Sequence, residues 1–168
     1  NVAAPTTLGN PPGTAGSSRL ILLASWRGRL WGVDSEDLDD VVYSEEGSFS
    51  QWASNRLSIP PKGHDPRGVT GFAARREALG VGKAHSLHQI TGTSNDNFRV
   101  VKISEEVGIE APESVAVYRD TAYFLWKDGV YEWDSSGVRC ISDGKVRSWF
   151  TTDTYFNRSR FQNAFAVI

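Results

Sequence analysis

The chain has one cysteine and no methionine among its 168 residues. It also has no apolar run of about 18 residues, so nothing in it reads as a membrane-spanning helix. A single thiol, Cys140, cannot form an internal disulfide or a cysteine-based zinc site. With Val138 and Ile141 beside it in a strand-like run, Cys140 is expected to be a small half-buried side chain rather than a nucleophile. The N-terminus lacks the charged start and apolar middle of a signal peptide. Charge is also unbiased: 18 basic residues face 20 acidic ones, a net of −2, which speaks against a nucleic-acid surface. The missing methionine predicts that Asn1 is not the start of the gene product. The run from Arg160 to Ile168 is expected to stop inside a strand, as a cleaved or partial piece of a longer chain would. Helical periodicity is scarce too; only Ser104 to Ala111 suggests a single helical turn.

What is abundant is short β-prone runs separated by turn residues. Residues 1–18 are rich in Pro, Gly, Ser, Thr and Ala and predict a flexible linker or arm. Leu20–Trp26 and Arg29–Val33 flank Arg27-Gly28, a hairpin signal, and Val41–Ser44 follows an acidic loop. Gly47 to Trp52 predicts a turn carrying an aromatic plug, and Pro60, Pro61 and Gly63 to Gly68 close the unit. The pattern returns with strands over 69–75, 78–82, 86–90 and 98–103. It returns again over 114–118, 121–126, 130–133 and 138–141, with a last strand over 161–168. First turns near residues 28, 77 and 120 are spaced by 49 and 43 residues. A repeat of about 40–50 residues with four short strands is the signature of propeller blades. The fold class is therefore all-β, with antiparallel propeller-like blades of about four strands in an incomplete propeller or a fragment of a larger one. The units are an arm at 1–18, blades at 19–61, 62–108 and 109–150, and the start of a further blade at 151–168. One blade cannot bury both apolar faces alone, so blades stack.

Few residues suggest chemistry. Asp34, Glu36, Asp37, Asp39 and Asp40 cluster, but Leu38 interrupts them and no mid-loop glycine supports calcium. The expectation is a solvated hairpin loop. His85 and His88 lie three apart on a strand and so face opposite sides, and His64 is expected in an exposed turn. Gly80-Val-Gly-Lys83 lacks the spacing of a phosphate loop, and no Gly-x-Ser-x-Gly elbow occurs. Ser44 to Trp52 resembles the Asp-box turn of sialidases, with Glu46 for the aspartate and the glycine one residue early; that turn is structural, not catalytic. Trp31, Trp126 and Trp133 are assigned to the core between blades. Trp52 and Trp149 are the candidates for partner or ligand contact. No catalytic, cofactor-binding or metal-binding residue is assigned.

Three segments carry a family resemblance. They are Gly28–Gly32 with Val42–Glu45; Gly68–Ala73 with Lys83 and Gln89–Gly92; and Ala111–Ser114 with Ala122–Trp133 and Ile141-Ser142. Across roughly residues 19–145 this order resembles propeller-type virion proteins of tailed bacteriophages, such as tail nozzle and tail-associated components. The resemblance implies a non-catalytic part of the virion, at the tail or head–tail junction. Its partners would be other virion proteins and copies of itself, with no membrane, no sequence-specific nucleic acid and DNA passing nearby. Ala78–Gly82 departs from it by being smaller than the aromatic strand expected there. A carbohydrate-binding or sialidase-like propeller is the alternative, motivated by the loop tryptophans and the acidic loop. An interaction propeller of the Trp-Asp type is disfavoured because Trp-Asp occurs once, at Trp133-Asp134.

Overall fold

Short β-prone runs joined by tight turns pair with their sequence neighbours, and the chain does this three times over. The computed structural model describes residues 19–52, 55–63 and 66–167. Sheet A contains β1 (Leu20–Trp26), β2 (Arg29–Asp34), β3 (Asp40–Tyr43) and β4 (Arg56–Ser58). Sheet B contains β5 (Val69–Ala74), β6 (Leu79–Lys83), β7 (Leu87–Thr91) and β8 (Arg99–Ser104). Sheet C contains β9 (Ala116–Tyr118), β10 (Thr121–Trp126), β11 (Gly129–Asp134) and β12 (Gly137–Cys140). Each sheet is a four-stranded antiparallel meander in chain order. Among the described residues the stack does not close, as suits part of a propeller. The expected arm at 1–18, and His64, lie outside the described residues.

The turns explain the pairing. Arg27 and Gly28 both have positive φ, 49° and 66°, the backbone that a tight two-residue hairpin turn requires. Arg119 and Asp120 do the same at 48° and 64° without a glycine. Asp120 is held from sheet B, since its Oδ1 accepts from the Arg76 N–H at 2.6 Å and its carbonyl from Arg75 Nε at 2.7 Å.

Sheet B is the filling between two aromatic faces. On one side Trp26, Trp31 and Tyr43 pack with Val69, Leu79, Val81, Ile90 and Phe98. Trp31 stacks on Tyr43 at 4.5 Å, and Phe98 stands edge-on to both. On the other side Phe124, Tyr131 and Trp133 pack with Ala73, Ala78, Leu87 and Ile109. Indole N–H groups tie the layers together: Trp26 Nε1 donates to the Arg75 carbonyl at 2.7 Å, and Trp126 Nε1 to that of Ala84 at 2.9 Å. Trp31 and Trp133 are fully buried, and Trp126 is partly buried against the same core, as expected of strand tryptophans.

This arrangement accounts for the small second strand of sheet B. Leu79 and Val81 of β6 face sheet A, so Gly80 and Gly82 face sheet C. A Cβ at Gly80 would lie 2.5 Å from Cζ3 of Trp133, and one at Gly82 would lie 2.5 Å from Ile109 Cγ1. The bulk expected in β6 comes from its neighbours.

A second repeat, hidden by the 43–49 spacing, underlies this. Trp26-Arg-Gly-Arg-Leu-Trp-Gly-Val-Asp34 has its counterpart a hundred residues on, in Trp126-Lys-Asp-Gly-Val-Tyr-Glu-Trp-Asp134. The Leu30 N–H donates to Ser44 Oγ at 3.0 Å, and the Val130 N–H to Ser142 Oγ at 3.1 Å. The repeat supplies the first three strands of sheet A but the last three of sheet C. That one-strand offset reverses strand direction, so both aromatic faces turn toward sheet B.

Two local expectations are corrected. Ser104 to Ala111 makes no helical turn; a 3-10 turn follows it at Pro112–Ser114. Within 104–111 the donors bridge strands instead, Ile109 N–H to the Lys83 carbonyl at 3.0 Å and Glu110 N–H to that of Leu125 at 3.1 Å. The strand expected over 161–168 is replaced by a 3-10 helix at Arg158–Asn163, capped by Asn157, whose side chain accepts from the Ser159 N–H. No strand follows it up to Val167. Residues 146–156 hold a short helix, α1 (Arg147–Thr151). Strand β4 escaped the sequence because only Leu57 in it is apolar; its flanking residues bond to the acidic loop.

Candidate functional site

The acidic loop is solvated only at Glu36 and, in part, at Asp37. Asp34, Asp39 and Asp40 are buried. Arg56 reaches Asp34 at 2.6 Å and Asp40 at 2.8 Å, while Lys62 reaches Asp37 at 2.9 Å and Asp40 at 2.7 Å. Burial pushes the Asp40 pKa up, but the bonds from Lys62, Ser58 and Arg56 outweigh it and hold the carboxyl below its ordinary range. Lys83, itself buried, donates to Asp39 Oδ1 and to the Pro61 carbonyl, both at 2.7 Å. Carboxylates so neutralised are clamps that fasten the β2–β3 loop to β4 and to sheet B. A buried charge without its partner is costly, which is why each one is paired. Among the described residues no group of three or more His, Cys, Asp or Glu side chains could hold a metal ion.

The two histidines do part company. His85 is exposed beside Lys127 Nζ, 3.1 Å away. His88 is fully buried, and among the described residues neither ring nitrogen has a hydrogen-bond partner. Cys140 is half-buried.

The two candidate contact residues occupy matching places in the hundred-residue repeat. Ser44 and Ser142 open similar turns, passing through Gly47 (φ 70°) and Gly144 (φ 67°) to Trp52 and Trp149. Their surroundings differ. Trp52 is 7% exposed and donates Nε1–H to the Phe49 carbonyl at 3.0 Å, so it plugs its turn and offers no platform. Trp149 is 44% exposed and tilts against Tyr155 with ring centroids 5.5 Å apart. One belongs to sheet A and the other to the segment after sheet C, so the fold does not bring them together. Trp149→Ala is expected to cost under about 1 kcal/mol, because a half-exposed ring contributes little burial; thermal melts check this.

Two exposed apolar strips stand out. Ile21 and Leu23 of β1 are 50% and 59% exposed and border a groove with Phe72 and Pro112. After sheet C, Trp149, Tyr155 and Phe156 are exposed, with Trp149 against Tyr155; Tyr118 and Ile141 are also exposed, but at opposite edges of the sheet. The sequence hinted at the first strip, since an uninterrupted Leu-Ile-Leu-Leu run cannot all face one core from a strand.

No protein-family model matches the chain, and no curated protein matches it.

Proposed function

We propose that the chain is a non-catalytic structural component of a phage virion, at the tail or head–tail junction. It works by assembling with other virion proteins and with copies of itself. The assembly part rests on one observation, an open stack of three sheets whose flanking sheets leave apolar strips, with Ile21 and Leu23 half or more exposed. Exposed apolar residues bordering a groove, as Ile21 and Leu23 do, are characteristic of interaction sites. The virion part rests on the resemblance of residues 19–145 described above. A near-neutral charge suits a conduit along which DNA slides, since a basic lining would hold phosphates.

Leu23→Asp is the direct test. It places a charge on the strip without touching either core. Sedimentation velocity is expected to show concentration-dependent association of the native chain and its loss in the variant. A native chain that stays monomeric at every concentration, with no phage-particle protein retained by it, would sink the assembly role. For the virion role, gold-labelled antibody against the chain is expected to mark the tail or head–tail junction of purified particles. Particles without label would overturn it.

A further inference from the structure

A polar cleft of about 490 Å³ opens between sheets B and C, apart from both apolar strips. Its size falls within the roughly 300–1,000 Å³ of small-ligand sites. The floor is Arg75, only 6% exposed, with its guanidinium 4.5 Å above the Trp133 ring. Asp120 takes its Nε and Nη2 at 2.7 and 3.4 Å, while Nη1 has no hydrogen-bond partner among the described residues. The planar cation is thus fixed, with one donor edge left over.

The charges around this floor cancel and are already engaged. Arg75 and Lys102 oppose Glu77 and Asp134. Glu77 meets Arg27 at 3.4 Å, Lys102 meets Glu105 at 2.7 Å, and Asp134 accepts from the Ser136 N–H at 2.7 Å. A lining without net charge gives no preference to an anion such as phosphate or to a cation. The uncommitted groups are neutral. Gln89 and Thr91 on β7 and Ser135 in the β11–β12 turn line the cleft, with no side-chain hydrogen bond among the described residues. Together with Nη1 they offer donors and acceptors in alternation. Ala78 and Ile103 supply a small apolar wall. A ring whose edge carries hydroxyl groups, each both donor and acceptor, and whose face is C–H matches that lining.

We propose that the cleft binds a neutral saccharide unit, with Gln89, Thr91, Ser135 and Arg75 Nη1 hydrogen-bonded to its hydroxyls. The site is not the one loop tryptophans would build, because Trp52 is buried and Trp149 lies elsewhere. It stands independently of the assembly role.

Amide NMR spectra of the full chain, titrated with glucose, galactose, mannose, N-acetylglucosamine, lactose and maltose, test this. At least one sugar is expected to shift the amides of Thr91, Lys102, Ser135 and Ser136 with millimolar affinity. Gln89→Ala with Thr91→Val is expected to weaken that sugar about tenfold, the loss of one to two net hydrogen bonds, while amides elsewhere keep their positions. Three results would each overturn the proposal. No sugar moves these amides at concentrations of tens of millimolar; inorganic phosphate moves them and no sugar does; or the shifts fall at Trp149 and Tyr155 instead.

Discussion

Trp133→Ala is expected to destabilise the fold by about 3–5 kcal/mol, the cost of deleting a buried aromatic that cannot be refilled. Against a typical total of about 5–15 kcal/mol this is a large share. The ring is 1% exposed, supports Arg75 by stacking, and occupies the space over Gly80. Gly80→Ala places a Cβ 2.5 Å from the ring and 3.1 Å from the Ala73 Cβ. It is expected to cost about 1–3 kcal/mol as overpacking. The two changes share one space, so together they should cost less than their sum, with a coupling of about 1 kcal/mol or more. Urea denaturation of the four proteins in the cycle measures this. Strict additivity would mean that the sheet B–sheet C contact is not built as described.

The second large effect is acid sensitivity from His88. Burial, with added repulsion from Lys83 and then Lys102, pushes its pKa from an ordinary 6.5 down to about 4. Both ring nitrogens are buried without partners among the described residues, so the folded protein keeps the ring neutral. As pH falls below 6.5 the unfolded chain takes up a proton that the folded chain refuses. Stability from this group is complete above 6.5, declines through the window and levels off below 4. The loss across it is about 3 kcal/mol. His88→Leu removes the titrating group and fills the site with an apolar side chain, so its stability should fall less between pH 6.5 and 4. Asp40, whose pKa is lowered, loses its contribution as pH falls through its folded-state value, below its ordinary 3.8, in both proteins. Equal pH slopes for the native protein and His88→Leu would contradict the neutral buried ring.

Much of the fold was legible from local pattern. Paired runs around Arg27-Gly28 and Arg119-Asp120 announce hairpins, because few backbones satisfy so short a turn. The absence of 3.6-residue periodicity leaves strands as the main way to satisfy backbone groups. The acidic loop was misjudged because its partners, Arg56, Lys62 and Lys83, arrive from other strands and a different sheet. Trp52 and Trp149 read alike as loop tryptophans, yet the structure places Trp149 in α1. Only the layers around them separate the plug from the exposed ring.

By itself the sequence determined most of the strands, the tight turns and the blade-sized repeat, because these depend on neighbours within a few residues; β4, held by its bonds to the acidic loop, was not among them. Tertiary structure decided which face of each sheet is core. Starting the repeated hairpin one strand later in sheet C turns its aromatic face toward sheet B, and that offset is a property of the stack. The glycines of β6 then have a reason that no local pattern supplies, since Trp133 and Ile109 come from beyond the sheet to occupy the space they leave. The polar cleft beside Trp133 has the same origin. Gln89 and Ser135 are remote in sequence and line one cleft because two sheets pack face to face.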